Sequence, residues 1–162
     1  MSIRSQKKSK ATTWTVEELG PADVKKAAAW IKAIPFEEWP QQSRIDDQPR
    51  PSMVTNPEWH GFGDIATTII GSLGFDESNA YQPMLSVVMP GHHIEVHQDA
   101  QADYWKYRVH VPLLTNAKAV TEMEDGLHHM QVGKAYKVNT AEKHAVWNKG
   151  ATPRVHFMFD VR

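Results

Sequence analysis

The sequence predicts a mainly β protein: a double-sheet jelly roll with two N-terminal α-helices packed on one of its sheets. Three observations point there. The hydrophobic period changes from helical to alternating near residue 81. About eight short strand-like segments follow, each ended by a turn residue. Two amphipathic helical patterns precede them, and each needs an apolar surface to cover.

The chain of 162 residues is long enough for one domain with its own core. The expected organisation is a basic, disordered tail over 1–12 and a single domain over 13–162. That domain divides into a helical part, 13–80, and a jelly-roll core, 81–162. No apolar run approaches the roughly eighteen residues of a membrane span. The basic start, with Arg4, Lys7, Lys8 and Lys10, lacks the apolar stretch of a secretory signal. A cytoplasmic protein without membrane contact is expected. A formal net charge of -1 argues against a nucleic-acid partner. The absence of cysteine excludes disulfides, thiolate metal sites and cysteine nucleophiles. Any metal here takes nitrogen and oxygen ligands, and most of the nine histidines lie in the second half.

In chain order, Gly20 and Pro21 suit the start of a helix. Val24, Ala27, Ala28, Ile31 and Ile34 recur at helical spacing opposite Lys25, Lys26 and Lys32, and Pro35 ends the run. Residues 36–62 are too rich in proline for long regular elements, with a short edge strand expected at 53–55. A second helix is expected over 64–73, capped by Asp64, with Ile65, Ile69 and Leu73 on one face and Gly74 stopping it. The expected strands are 84–89, 92–97, 107–114, 117–123, 127–132, 135–138, 145–148 and 154–161. Turns at Pro90-Gly91, Asp125-Gly126, Gly133 and Gly150 separate several of them.

Alternation leaves two packings open. In the last strand Val155, Phe157, Phe159 and Val161 face one way, and Arg154, His156, Met158 and Asp160 the other. Val109, Val111 and Leu113 likewise oppose Arg108, His110 and Pro112. A plain sandwich would bury the apolar sets between its sheets. Alternatively they pack outward against the helices, and the polar sets line a cavity inside the roll. Two amphipathic helices in need of a partner favour the second packing.

The chemistry-bearing residues fall between His97 and Arg154. His97 and Asp99, two apart in extended chain, leave the same face and can reach one ion. With His144 they make a two-histidine, one-carboxylate set, which holds a metal while leaving positions open, as in non-heme iron(II) oxygenases. Arg154 follows on the last strand and can hold the carboxylate of an organic co-substrate through its forked, permanently charged donors.

Taken with Ser86, the run Arg108-Val109-His110-Val111-Pro112-Leu113, His144-Ala145-Val146-Trp147-Asn148, and Phe157-Met158-Phe159-Asp160 after Arg154, the pattern resembles the aspartyl/asparaginyl β-hydroxylase branch of the Fe(II)/2-oxoglutarate-dependent oxygenases. The resemblance covers roughly 81–162 and implies a cupin-like double-stranded β-helix. It implies Fe(2+) held by His97, Asp99 and His144, with 2-oxoglutarate as co-substrate and O2 as oxidant. Arg154 would pair with the distal carboxylate of 2-oxoglutarate, with Ser86 as helper. Arg108 and His110 would meet its metal-chelating end. The implied activity is hydroxylation of an amino acid, free or in a peptide or protein, with succinate and CO2 as co-products. Asp99 departs from vertebrate β-hydroxylases, which lack a carboxylate there. It matches relatives that hydroxylate free proline.

Other polar and aromatic residues have plainer roles. His92, His93, His128 and His129 are adjacent pairs whose side chains diverge on a strand, which suits surface hydrogen bonding rather than chelation. His156 shares the face of Arg154 and can enter the pocket. Trp147 suits packing. Tyr104 and Trp105 either cover a substrate or anchor their loop. Arg44, Arg50, Trp59 and His60 either wall a substrate site or are solvated. Two other functions stay open: a metal cupin acting without 2-oxoglutarate, as dioxygenase or isomerase, and a jelly-roll binding module without catalysis.

Overall fold

The structure is a computed structural model, described for residues 15–40, 44–45, 48–49, 52–56 and 58–162. The chain runs through β1 (Val16–Pro21), α1 (Lys25–Ala33), β2 (Arg44–Ile45), β3 (Gln48–Pro49), β4 (Ser52–Val54) and α2 (Phe62–Ser72). The jelly-roll strands follow: β5 (Ala80–Val88), β6 (His93–His97), β7 (Tyr107–Leu114), β8 (Ala119–Met123), β9 (Gly126–His128), β10 (Lys134–Val138), β11 (His144–Asn148) and β12 (Arg154–Val161). The tail expected at 1–12, and Arg50, lie outside the described residues, as does the side chain of Arg44.

A six-stranded sheet in the order β1-β10-β7-β12-β5-β4 faces a four-stranded sheet in the order β6-β11-β8-β9, with antiparallel pairs in both. From β5 to β8 and from β9 to β12 the chain alternates between the sheets. Among the described residues, β8 and β9 form a hairpin within one, turning at Glu124-Asp125 with Gly126 opening β9. That winding is the double-stranded β-helix, so the predicted class holds. β2 and β3 form a separate small ladder.

The side-chain alternation takes the second of the two packings. Leu85 and Val87 of β5, Val109, Val111 and Leu113 of β7, and Val155, Phe157, Phe159 and Val161 of β12 share one core with Ala27 and Ile31 of α1 and Phe62, Ile65, Ala66 and Ile69 of α2. Phe62 meets Phe157 edge-on at 5.2 Å between ring centroids, and Phe75 meets Phe159 at 5.5 Å. The apolar face of the six-stranded sheet therefore looks out of the roll. Its other face, bearing Ser86, Arg108, His110, Arg154 and Met158, lines the interior.

Several boundaries differ from expectation, each for a local reason. Gly20 and Pro21 end β1, a strand the helical pattern concealed, rather than starting a helix, and α1 begins at Lys25. Pro21 is tolerated because β1 is the outermost strand of its sheet. Helix α2 starts at Phe62 after Gly61 at φ 72, so Asp64 lies in the first turn instead of capping it, where its charge still complements the helix dipole. Strand β5 begins at Ala80 rather than at 84. Pro83 is carried in a bulge: Met158 pairs with Met84, Asp160 pairs with Tyr81, and Gln82 takes φ 51. The β9 strand ends at His128, because the chain turns after Met130 to enter β10.

Candidate metal and co-substrate site

The pairing of β6 with β11 builds the centre. His97 at the end of β6 and His144 at the start of β11 are register partners, and their rings lie 4.2 Å apart at 52°. Each ring is held from behind. His97 Nδ1 lies 2.7 Å from the Glu95 carbonyl oxygen, and His144 Nδ1 lies 2.7 Å from that of Glu142. A carbonyl only accepts, so each Nδ1 carries a proton, and in the neutral ring Nε2 keeps its lone pair.

Asp99 completes the set. Its backbone N–H donates to the Thr140 carbonyl (2.9 Å) and the Gln98 side chain donates to that of Ala141 (2.8 Å), folding the segment after β6 against the approach to β11. One carboxylate oxygen lies 3.4 Å from His97 Nε2 and the other 3.8 Å from His144 Nε2. One ligand atom from each residue falls within 4.8 Å of the other two, a spacing that one cation bound by two nitrogens and an oxygen would span. Burial raises the Asp99 carboxyl, but the His97 hydrogen bond and the charges of Arg108 and His144 outweigh it and hold the carboxyl below its ordinary value. The same bond to Asp99 raises His97, whereas burial lowers His144.

A cavity of about 460 Å³ opens from these three residues into the roll. Ile94, Val138, Val146, Met53 and Met158 form its apolar walls, and Ser86, His110 and Arg154 are polar groups within it. Arg154 is 2% exposed. Its Nη1 donates to Ser86 Oγ at 3.3 Å, and its Nη2 is buried with no partner among the described residues. Burial pushes the guanidinium down to about 9. His110 is also buried: its Nδ1 lies 3.1 Å from His156 Nδ1, and its Nε2 has no partner among the described residues. Burial, followed by the charge of Arg154, takes both histidines well below their ordinary value. A buried cation and a buried ring nitrogen, each short of a partner, fit an anionic organic group such as a carboxylate.

All seven residues singled out from the sequence line this cavity. Arg108 has a further set of contacts. Its Nε and Nη2 fork onto the two oxygens of Asp160 (2.8 and 2.9 Å), while Nη1 reaches Asp99 at 2.9 Å. Asp160 also accepts the indole N–H of Trp105 at 3.1 Å. Trp105 thus anchors its loop. Tyr104 packs at 5.4 Å on Tyr81 and does not line the cavity. Sequence reasoning assigned Asp160 no task. Its signal was there: Asp160 and Arg108 are opposite charges on the inward positions of strands that prove adjacent. His93 stacks on Trp147 at 5.0 Å and His128 pairs with Asp125, as expected of histidines outside the metal set.

The double-stranded β-helix with two histidines and a carboxylate at its mouth is the cupin class of fold. The model of the aspartyl/asparaginyl β-hydroxylase family matches residues 65–162, and the chain belongs to that family. Among solved structures, the chain is similar to the viral collagen prolyl hydroxylase of Paramecium bursaria Chlorella virus-1, with 12% identity over 93% of this chain and 97% of that one and a TM-score of 0.60. It is also similar to a prolyl-4-hydroxylase of Pseudomonas putida, with 16% identity over 93% of each chain and a TM-score of 0.57. A third is an oxidoreductase of the 2OG-Fe(II) oxygenase family from Burkholderia pseudomallei, with 13% identity over 84% of this chain and 76% of that one and a TM-score of 0.53. At such identities the likeness is one of fold. No curated protein matches the chain. Among the described residues no helix is long and apolar enough to cross a membrane.

Proposed function

We propose that this chain is an Fe(II)- and 2-oxoglutarate-dependent dioxygenase that hydroxylates a C–H bond of an amino acid, free or within a peptide, with succinate and CO2 as co-products. One observation carries the proposal: a two-histidine, one-carboxylate cluster shares a cavity with a buried arginine whose Nη2 has no partner among the described residues. A metal cupin without 2-oxoglutarate has no use for that guanidinium.

His97, Asp99 and His144 would hold the iron, which when bound supplies activation of O2 coupled to decarboxylation of 2-oxoglutarate. The chain's own residues bind and orient. Arg154 and Ser86 receive the distal carboxylate, offering forked N–H donors and a hydroxyl where water is scarce. His110 presents Nε2 to the same cavity. The apolar walls exclude water, which strengthens each of these contacts. The family and the prolyl hydroxylase folds support an amino-acid substrate, and the complete ligand set supports kinship with the hydroxylases of free proline.

The test is anaerobic addition of Fe(II) and 2-oxoglutarate. The expected result is a visible metal-to-ligand charge-transfer band that is lost in Asp99→Ala, together with succinate release across a panel of free amino acids and short peptides. No band at saturating ligand removes the 2-oxoglutarate reading. A band unchanged in Asp99→Ala removes Asp99 from the ligand set.

A further inference from the structure

The contacts of Arg108 are more constrained than a co-substrate clamp requires. Its side chain is 13% exposed and that of Asp160 4%, so the two form a nearly buried ion pair joined by two parallel hydrogen bonds. The two residues are register partners on β7 and β12. Asp160 is held in turn by the Trp105 indole at 3.1 Å, and the next residue, Lys106, donates its backbone N–H to the Val161 carbonyl at 2.8 Å. With Nε and Nη2 engaged on Asp160, Nη1 reaches Asp99 Oδ2, and Asp99 Oδ1 has no guanidinium partner.

We propose that Asp160, fixed by Trp105, is a positioning residue of the metal centre, acting through Arg108. It keeps the guanidinium turned so that one N–H orients Asp99 and the carboxylate's other oxygen stays available to a cation. The inference rests on the metal-site reading above. Without the Asp160 carboxylate, Arg108 keeps Asp99 as its carboxylate partner. Its fork then closes on both oxygens of Asp99, and the cluster, one negative charge poorer, attracts an incoming divalent ion less. Both effects weaken metal binding. Groups that orient a metal ligand typically cost on the order of 10–100-fold in affinity when lost.

The test measures Co(II) affinity and the visible Co(II) spectrum, without substrate or oxygen, in the wild type, Asp160→Asn, Trp105→Phe, Arg108→Met and the double variant Arg108→Met/Asp160→Asn. The expected Kd for Co(II) rises about ten-fold or more in Asp160→Asn, and less in Trp105→Phe, which loses only the indole donor. In the Arg108→Met background the Asp160→Asn change should fall to about two-fold or below, because the residue acts through the arginine. Circular dichroism checks the fold of each variant. If Asp160→Asn does not fold, Trp105→Phe carries the same cycle against Arg108→Met. An unchanged Co(II) affinity and spectrum in Asp160→Asn with a raised Kd for 2-oxoglutarate overturns the proposal in favour of direct co-substrate binding by Arg108. An equal Asp160→Asn effect with and without Arg108 overturns it as well. Wild-type protein that binds no Co(II) refutes the metal-centre reading itself, before any variant is compared.

Discussion

Replacing Arg154 by methionine should make the ligand-free protein more stable while removing its response to 2-oxoglutarate. Arg154 is 2% exposed, with a 3.3 Å bond to Ser86 and a buried Nη2 that has no partner among the described residues. Burial takes the guanidinium from its usual range down to about 9. At about 1.4 kcal/mol for each pH unit, that corresponds to a cost of the order of 5 kcal/mol for keeping the charge inside the fold at neutral pH. Exchanging buried ionic groups for hydrophobes of similar volume recovers roughly 1–4 kcal/mol. In a chain of this size the melting temperature should rise by about 3–10 °C. In the wild type, 2-oxoglutarate at a hundred times its Kd should add about 2.7 kcal/mol, and in the variant almost nothing. Thermal unfolding with Mn(II), with and without 2-oxoglutarate, reads both quantities. A variant that melts below the wild type without ligand, or keeps the 2-oxoglutarate shift, refutes the reasoning.

Two further outcomes follow from the interior of the roll. Burial holds His110 and His156 well below their ordinary value, so the unfolded chain takes up two protons that the folded chain refuses once pH falls below about 6.5. Stability should then decline on acidification with a slope approaching about 2.7 kcal/mol per pH unit from this pair. Burial of His144 adds to the decline and the Asp99 bond to His97 opposes it. Urea midpoints at pH 5 and pH 7 should show most of the slope gone in His110→Asn/His156→Asn. Asn148 is fully buried and donates to the carbonyls of Val88 and Thr152 while accepting from Asn116 and the Gly150 N–H. Asn148→Ala should cost about 2–4 kcal/mol, because it strands several buried groups at once. A loss under about 1 kcal/mol by thermal melting would show that this corner repacks.

Legibility followed the range of the interactions. The β12 alternation of Val155, Phe157, Phe159 and Val161 against Arg154, His156, Met158 and Asp160 is local, so its two faces were plain in the sequence, and the structure keeps them. Strand β1 was hidden because Gly20-Pro21 has the local look of a helix start, while its strand character comes from pairing with β10. The start of β5 was hidden for a related reason: Pro83 forbids a regular ladder, and only the bulge against β12 lets the strand continue past it. The cavity residues were legible because their chemistry is unusual at inward strand positions. The task of Asp160 was not, since it exists only once β7 and β12 lie side by side.

By itself the sequence carried the jelly-roll class, through period and turn chemistry, and marked His97, Asp99, His144 and Arg154 as candidate site residues by their type and order. The tertiary structure decided which face of the larger sheet meets the helices, and so that Arg154 and His110 are buried in a cavity instead of solvated. It also decided that Arg108 divides its donors between Asp160 and Asp99. Both depend on strand order and register, which long-range pairing sets and no short stretch of sequence encodes.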